Sequence, residues 1–243
     1  MPHFFISSER IVENKIHISD IENYRHIARA LRIRKGEKLL LIDENQIQYE
    51  TVVCDITDKE VIVEIENSYK SGRSLPFGLY LAQSPLRSDA QSFIVEKATE
   101  LGVKGIYPIH TDNCVLSNEV IEKKVEKWQK IMYEASKQCE RADIPTYYHI
   151  ENLEDLINKF DRVIVFCERI ANKTLKDIDK IQYNQNILVV VGPEGGFSDD
   201  ELTILRNLPF AKGATLGPRI LRAETAVASA LACWQMILGD WSN

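Results

Sequence analysis

The chain has 243 residues, of which 44% are hydrophobic and 27% are charged, and its formal net charge is −6 at pH 7. This length allows one large domain or two modest ones, and the composition excludes fibrous and disordered classes of protein. No apolar run approaches the roughly 20 residues of a membrane-spanning helix. The first residues also lack the basic segment and the cleavage site of a signal peptide. We therefore expect a cytoplasmic protein with no membrane partner.

Cysteine and histidine residues are both dispersed along the chain. The five cysteines form no close pair, and the five histidines show no spacing typical of metal ligands. Scattered cysteines in odd number are typical of free thiols in a reducing compartment. We therefore predict neither a disulfide framework nor a metal site.

The first predicted helix follows residue 19. The sequence Ser-Asp-Ile-Glu at residues 19–22 resembles a capping box, with Ser19 as the N-cap and Glu22 as its partner. A regular helix from this point would place Ile21, Tyr24, Ala28 and Leu31 on one apolar stripe. We expect that stripe to face the core.

Positive charge is concentrated in and after this helix. Residues 25–38 contain six basic side chains and one acidic side chain, whereas acidic residues dominate elsewhere. A solvated helix face would explain the pattern, and so would contact with RNA phosphates, which basic side chains neutralise. The candidate RNA-binding residues are Arg25, Arg29, Arg32, Arg34 and Lys35.

The rest of the chain divides into two kinds of pattern. Short strands predicted at residues 38–42, 46–55 and 60–66 indicate a small antiparallel sheet or barrel. From residue 77, predicted strands at 77–83, 103–109, 162–166, 187–191 and 211–216 alternate with helices at 88–101, 118–142, 198–206 and 223–238. This alternation is typical of an α/β domain with a mainly parallel sheet. We predict one domain over residues 1–70 and a second over residues 71–243.

Two glycine-bearing loops near the C-terminus each follow a predicted strand and lead into a predicted helix. The first is Gly-Pro-Glu-Gly-Gly-Phe-Ser at 192–198, with a second capping box formed by Ser198 and Glu201. It is neither a G-x-G-x-x-G motif nor a P-loop, and a plain tight turn would explain it equally well. Glycine lets backbone N–H groups approach a ligand, and a helix N-terminus adds partial positive charge. The carboxylate of Glu194 would suit a cofactor with a positive centre, such as S-adenosylmethionine.

The second loop is Leu-Gly-Pro-Arg-Ile-Leu-Arg-Ala-Glu-Thr-Ala at 216–226. Its charged residues allow two interpretations. Arg222 and Glu224 could pair at the start of the helix, which contributes little at an exposed site. Alternatively, an arginine faces an anionic substrate beside a cofactor bound against the glycine.

Together, the two loops resemble the signature pair of the RsmE family, methyltransferases of the SPOUT superfamily that methylate N3 of a uridine in 16S ribosomal RNA. Residues 26–36, 96–103 and 134–141, together with Trp128, also resemble segments of this family. The resemblance therefore extends over almost the whole chain.

The resemblance implies a fold and several partners. The C-terminal domain would be an α/β SPOUT domain with a trefoil knot, where the rule that chains avoid knots would favour an open Rossmann-like sheet. The N-terminal domain would be a small PUA-like β-barrel that binds RNA. The protein would be a homodimer that binds S-adenosylmethionine and modifies 16S ribosomal RNA within the assembled small subunit.

The same resemblance implies which residues form the site. The ends of three strands would converge around a bent S-adenosylmethionine. The candidate cofactor-binding residues belong to the two loops: Val191, Gly192, Pro193, Glu194, Gly195, Gly196, Leu216, Gly217, Ile220, Leu221, Thr225 and Ala226.

Uracil N3 carries a proton and is not nucleophilic until that proton leaves. Arg222 suits stabilisation of the resulting anion, because a guanidinium keeps its charge. Glu224 is a candidate base or the group that orients Arg222. Two alternatives stay open: a SPOUT methyltransferase of another rRNA or tRNA site, and a catalytically inactive RNA-binding protein of ribosome assembly.

Overall fold

The structure is a computed structural model that describes residues 3–72, 75, 77–167, 169, 185–207, 211–237, 239 and 241. The chain divides into two compact units. The first contains Met1–Ser74 and Lys137–Asp143, and the second contains Leu75–Ser136 and Ile144–Asn243. The sequence predicted two domains, which are parts of a chain that fold independently. Division into compact units does not test independent folding, so the predicted domain limits stay a prediction.

The first unit contains a six-stranded sheet in the order β1-β4-β5-β6-β3-β2. Its strands are β1 His3–Phe5, β2 Ile11–Val12, β3 Lys15–Ile18, β4 Lys38–Ile42, β5 Ile47–Ile56 and β6 Val61–Lys70. Strand β1 pairs with β4 in parallel, and the other pairs are antiparallel. Alternate residues such as Ile16 and Ile18 are fully or almost fully buried, which is the period expected of a sheet with one face against a core.

Between β3 and β4 the helical segment differs from the regular helix that we predicted. The α-helix α1, Ile21–Tyr24, continues as a π-helical turn, Arg25–Ala30. The wider turn changes the angular positions of the side chains that follow it. Ile27 is fully buried, whereas Ile21, before the turn, and Leu31, after it, are 69% and 42% exposed. The predicted inward stripe is therefore wrong at both of its ends. The predicted cap is also wrong, because Asp20, rather than Ser19, accepts the hydrogen bond from the Asn23 N–H at 2.8 Å.

The second unit contains a parallel sheet in the order β10-β8-β7-β12-β11-β13, with β9 also paired to β8. The strands are β7 Gly78–Gln83, β8 Gly105–His110, β9 Thr146–Tyr147, β10 Glu151–Asn152, β11 Arg162–Phe166, β12 Asn186–Val191 and β13 Ala211–Ala214. Every pair in this sheet is parallel. The apolar run of β12 is buried from Ile187 to Val191, as expected of a central parallel strand covered on both faces.

Helices cover both faces of this sheet. They are α2 Ser88–Glu100, α3 Asn118–Glu122, α4 Val125–Gln138, α5 Leu153–Ile157, α6 Asp199–Asn207 and α7 Ala223–Ile237. One hydrophobic cluster joins Val189 to residues of α2, α4 and α7, and another joins Val190 to residues of α5 and α6. Adjacent residues of a strand point to opposite faces, so the two clusters lie on the two sides of the sheet.

Two sequence predictions about this unit need comment. The single long helix predicted at 118–142 is divided into α3 and α4. The predicted trefoil knot depends on the connection from β11 to β12, of which residues 168 and 170–184 lie outside the described part of the chain. The knot therefore stays a prediction. No helix in the described part of the chain has both the length and the apolar character needed to span a membrane.

Candidate active site

A cleft lies where strands β11, β12 and β13 end. These three strands are parallel, with β11 in the middle, so their carboxyl ends lie at one edge of the sheet. The cleft has a volume of about 710 Å³ and is lined by the segments that follow these strands and by the start of α7. Both its volume and its position at the carboxyl ends of parallel strands are typical of small-molecule sites.

Most of the predicted site residues line this cleft. They include the predicted catalytic residues Arg222 and Glu224 and eleven of the twelve predicted cofactor-binding residues. The exception is Thr225, which is exposed and is not among the lining residues. Successive residues of a helix point about 100° apart, so Thr225 faces away although its neighbours Glu224 and Ala226 face the cleft.

The cleft also contains residues that we did not predict. These are Ala90, Phe166, Cys167, Arg169, Phe197, Ala214, Thr215, Arg219 and Ala223. Phe166 and Ala214 end two of the strands whose convergence was expected, so extending the prediction to every residue at a strand end would have found them. Ala90 belongs to α2, far away in sequence, and no local pattern indicates its contribution.

The first loop, residues 192–198, has a backbone that requires glycine at specific positions. A Cβ atom added to Gly192 would lie 2.9 Å from the ring of Phe197, which is buried. Gly196 has a φ of +71°, and its N–H donates to the Pro193 carbonyl at 2.9 Å. The predicted capping box is confirmed: Glu201 accepts from the Ser198 N–H at 2.8 Å, and the Ser198 hydroxyl accepts from the Glu201 N–H at 3.3 Å.

Residues 223–226 of the second loop form the start of α7, so from here the second loop means the non-helical residues 215–222, which are more exposed. Gly217 has a φ of +106°, with open space beside it, and Ile220 is 86% exposed. Arg222 is exposed and Glu224 is half-buried. No ion pair joins Arg222 to Glu224 or to any other carboxylate in the described part of the chain. The pairing of these two side chains at the helix start, which we considered from sequence, is therefore absent.

The predicted RNA-binding residues all belong to the first unit, and all five are exposed. Lys35 forms an ion pair with Asp55 at 2.7 Å. Among the residues that the structure describes, no carboxylate pairs with Arg25, Arg29, Arg32 or Arg34. Four guanidinium groups are thus available to an anionic partner.

Comparison with known proteins identifies the family. A family model described as an RNA methyltransferase domain matches residues 73–235, and one described as an RNA methyltransferase PUA domain matches residues 18–66. The chain is 34% identical to ribosomal RNA small subunit methyltransferase E of Aquifex aeolicus over 93% of this chain and 96% of that protein. The chain belongs to the ribosomal RNA small subunit methyltransferase E family. It is also 27% identical to the methyltransferase E of Bacillus subtilis, over 87% of this chain and 86% of that protein.

Solved structures of methyltransferase E proteins share this fold. The enzyme from Neisseria gonorrhoeae, bound to S-adenosyl methionine, matches with a TM-score of 0.85 and 27% identity over 98% of both chains. A Legionella pneumophila protein described as a methyltransferase, in complex with the cofactor SAM, matches with the same TM-score, identity and coverage. Together with the matched family models, these structures confirm the SPOUT-type α/β core and the PUA-like N-terminal unit that the family resemblance implied.

Proposed function

We propose that this methyltransferase E uses S-adenosylmethionine to methylate N3 of a specific uridine of 16S ribosomal RNA, the 3-methyluridine site of the decoding region, on the assembled small subunit. The observation that carries the proposal is the cleft at the strand ends, where both glycine loops meet beside the unpaired Arg222. The membership of the chain in the methyltransferase E family supports the class of reaction. The S-adenosylmethionine bound in the two related structures supports the identity of the methyl donor.

The residues of the cleft fit this cofactor. Gly196 and Gly217 have open space where a Cβ would lie, so a ligand can approach the backbone of both loops, which suits an adenine edge and ribose hydroxyls. Apolar side chains such as Leu216 and Leu221 line the same cleft and suit the flat faces of adenine. The carboxylate of Glu194 would lie near the positive centre. When bound, S-adenosylmethionine supplies a methyl group that is already activated by its sulfonium.

Two side chains would act on the uracil ring. Arg222 would hold the negative charge that develops when the N3 proton leaves, and it is suited to this role because it stays protonated. Glu224, in the first turn of α7, would accept the proton, or would pair with Arg222 and orient it only once the substrate is bound. Because the sulfonium already activates the methyl group, we propose that no metal ion is required. Holding donor and acceptor in line can contribute roughly 7–11 kcal/mol to the lowering of the barrier.

RNA docking would use the unpaired arginines of the first unit. The target N3 edge is hidden in paired RNA, so the uridine has to be unpaired or flipped out, which costs about a few kcal/mol. Contacts from Arg25, Arg29, Arg32 and Arg34 to phosphates would contribute affinity without reading sequence. Such a substrate places the protein in the cytoplasm.

A homodimer is the assembly that we propose. Among the described residues of the second unit, the most exposed large apolar side chains are Ile220, Met236 and Trp241, at 86%, 61% and 53%. We propose that they belong to one apolar surface covered by a second copy of the chain, since contiguous exposed apolar patches mark interaction sites. The first of them belongs to the second loop, so a partner subunit there would also border the cleft.

Methyl transfer from labelled S-adenosylmethionine tests the proposal. The substrates are small subunits that lack the modification, naked 16S rRNA and large subunits, and the product nucleoside is identified by mass spectrometry. We expect 3-methyluridine with small subunits only. Label in another nucleoside would contradict the assigned position, and label in other RNA would contradict the substrate. Binding of the cofactor without transfer to any RNA would favour a role in ribosome assembly without catalysis.

A further inference from the structure

A short loop after β8, residues 111–114, contacts the first glycine loop although about 80 residues separate the two in sequence. We call it the bracing loop. Its ends are tied by a hydrogen bond from the Cys114 N–H to the Thr111 carbonyl at 2.9 Å. The hydroxyls of Thr111 and Ser84 lie 2.8 Å apart, and both residues are buried. The bracing loop is therefore a tight turn anchored to the end of the neighbouring strand β7.

The bracing loop reaches past one strand to make its contacts. Strand β7 lies between β8 and β12 in the sheet. From the far side of β7, the Asn113 amide donates to the Gly196 carbonyl at 2.9 Å and to the Gly195 carbonyl at 3.4 Å. A Cβ atom on Gly195 would lie 3.0 Å from that of Asn113, so glycine permits this close approach. One side chain thus holds two consecutive peptide groups of the cleft wall.

Asp112 makes a second set of contacts with the same wall. Its carboxylate accepts from the Ser198 hydroxyl at 2.6 Å, and its N–H donates to Glu201 at 3.0 Å. Glu201 also accepts from the Ser198 N–H, so its carboxylate links the bracing loop to the first turn of α6. The glycine loop is held at its centre by Asn113 and at its end by Asp112.

We propose that Asn113 is a positioning residue that fixes the glycine loop in its cofactor-binding shape and so sets the affinity for S-adenosylmethionine. The inference rests on the proposed function. Asn113 does not itself line the cleft, whereas Gly195 and Gly196 do. A ligand that binds to a loop already fixed does not lose affinity to the ordering of that loop. Removing the amide frees the two peptide groups, and cofactor binding then has to order them.

The substitution Asn113→Asp tests this role because it keeps the size of the side chain and removes both donors. It also places a charged oxygen against two carbonyl oxygens. We expect the Kd for S-adenosylmethionine, measured by calorimetry, to rise about tenfold. The KM for the cofactor should rise by a similar factor, while kcat and the KM for RNA stay within about twofold. Asn113→Ala removes the donors without adding charge and should raise the Kd by about threefold.

The matched control is Asn158→Asp. Asn158 is also exposed, and its amide donates to the Glu154 carbonyl at 2.9 Å, at the end of α5 and outside the cleft. The control should leave the Kd unchanged, and the Tm without cofactor should fall equally in both Asp variants. If both Asn113 variants bind S-adenosylmethionine with the wild-type Kd, the inference about Asn113 is wrong, but the proposed function is not affected. Failure of the wild-type protein to bind S-adenosylmethionine would overturn the proposed function and the inference with it.

Discussion

The two loops that form the cleft are held in different ways. The first, at 192–198, accepts hydrogen bonds from the bracing loop, 82 and 83 residues away in sequence, and exchanges two more within its capping box. For the second, at 215–222, the hydrogen bonds of the described residues are local. Thr215 and Gly217 exchange two at 3.1 Å, and Arg222 accepts one from the Ala226 N–H.

This difference separates the tasks of the two loops. A wall held by contacts distant in sequence keeps its shape without a ligand, which favours tight binding of a cofactor. A wall with exposed side chains and few long-range hydrogen bonds belongs to the least stable part of a fold, and such segments adjust on binding. The second loop also contains Arg222, so the residue assigned to the uracil anion lies on the wall that can adjust.

The largest effect is expected from Arg222→Ala. If the second loop acts on the RNA base, removing the guanidinium should lower kcat by about 100-fold or more, as loss of one stabilising group at a developing anion does. The Kd for S-adenosylmethionine should stay within about twofold, because the first loop is intact. Single-turnover methyl transfer and calorimetry measure the two quantities. Arg219→Ala, in the same loop and also exposed, is the control. An equal loss of kcat in both variants would contradict a specific role for Arg222.

Gly217→Ala tests the backbone of the second loop. Gly217 and Gly36 both have positive φ, +106° and +86°, and both have open space where a Cβ would lie. Each substitution to Ala should destabilise the protein by about 1–2 kcal/mol through strain. Only Gly217→Ala should weaken cofactor binding, by about tenfold, since Gly36 lies in the first unit. Thermal unfolding and calorimetry on both variants separate strain from the loss of the site, and equal cofactor affinities would refute the assignment of Gly217.

The double variant Arg29→Ala, Arg32→Ala tests whether these arginines contribute to RNA binding but not to cofactor binding, which we assign to the two loops. Each lost phosphate contact should reduce the slope of log K for RNA against log salt by about 0.7–0.9, with the cofactor Kd unchanged. Lys38→Ala is the control, because Lys38 is already paired with Glu66 at 2.7 Å. Filter binding at several salt concentrations gives the slopes. A parallel loss of RNA and cofactor binding would point to misfolding instead.

The smallest effect is expected from Ser198→Ala, which removes the cap of α6 and the contact with Asp112. Loss of an N-cap costs about 1 kcal/mol, so the Tm should fall by a few degrees. Cofactor affinity should fall by about twofold, because Asn113 still holds the centre of the loop. Thr203→Ala, which removes a hydroxyl from the same helix, is the control. A tenfold loss of affinity in Ser198→Ala would show that the end of the loop, rather than its centre, sets the binding.

The cleft could be predicted from sequence wherever its parts are local. The glycines of both loops, the buried run of β12 and the capping box at Ser198 are patterns of a few residues, and the structure brings them together as expected. Asn113 and Ala90 could not be found in this way. Each reaches the site through tertiary folding, and nothing in the neighbouring sequence distinguishes an asparagine that holds a distant loop from one in an ordinary turn.

The helical segment before β4 shows a different limit. Its composition predicts a helix, and a helix is present, but the π-helical turn at Arg25–Ala30 changes the angular spacing on which the inward stripe was based. The sequence also does not show that Asp20, rather than Ser19, is the N-cap, because both residue types favour that position. The sequence therefore predicts that this segment is helical, but it does not predict which of its side chains face the core.

Hydrogen–deuterium exchange with and without S-adenosylmethionine tests most directly that the cleft binds the cofactor between a preformed wall and an adjustable one. The account predicts slow exchange of the Gly196 and Ser198 N–H groups in the free protein, because they donate to the Pro193 carbonyl and the Glu201 carboxylate, with little change on binding. It predicts fast exchange from Thr215 to Arg222 that slows when the cofactor is added. Fast exchange at Gly196 and Ser198 without cofactor, or unchanged exchange in the second loop at saturating cofactor, would contradict it.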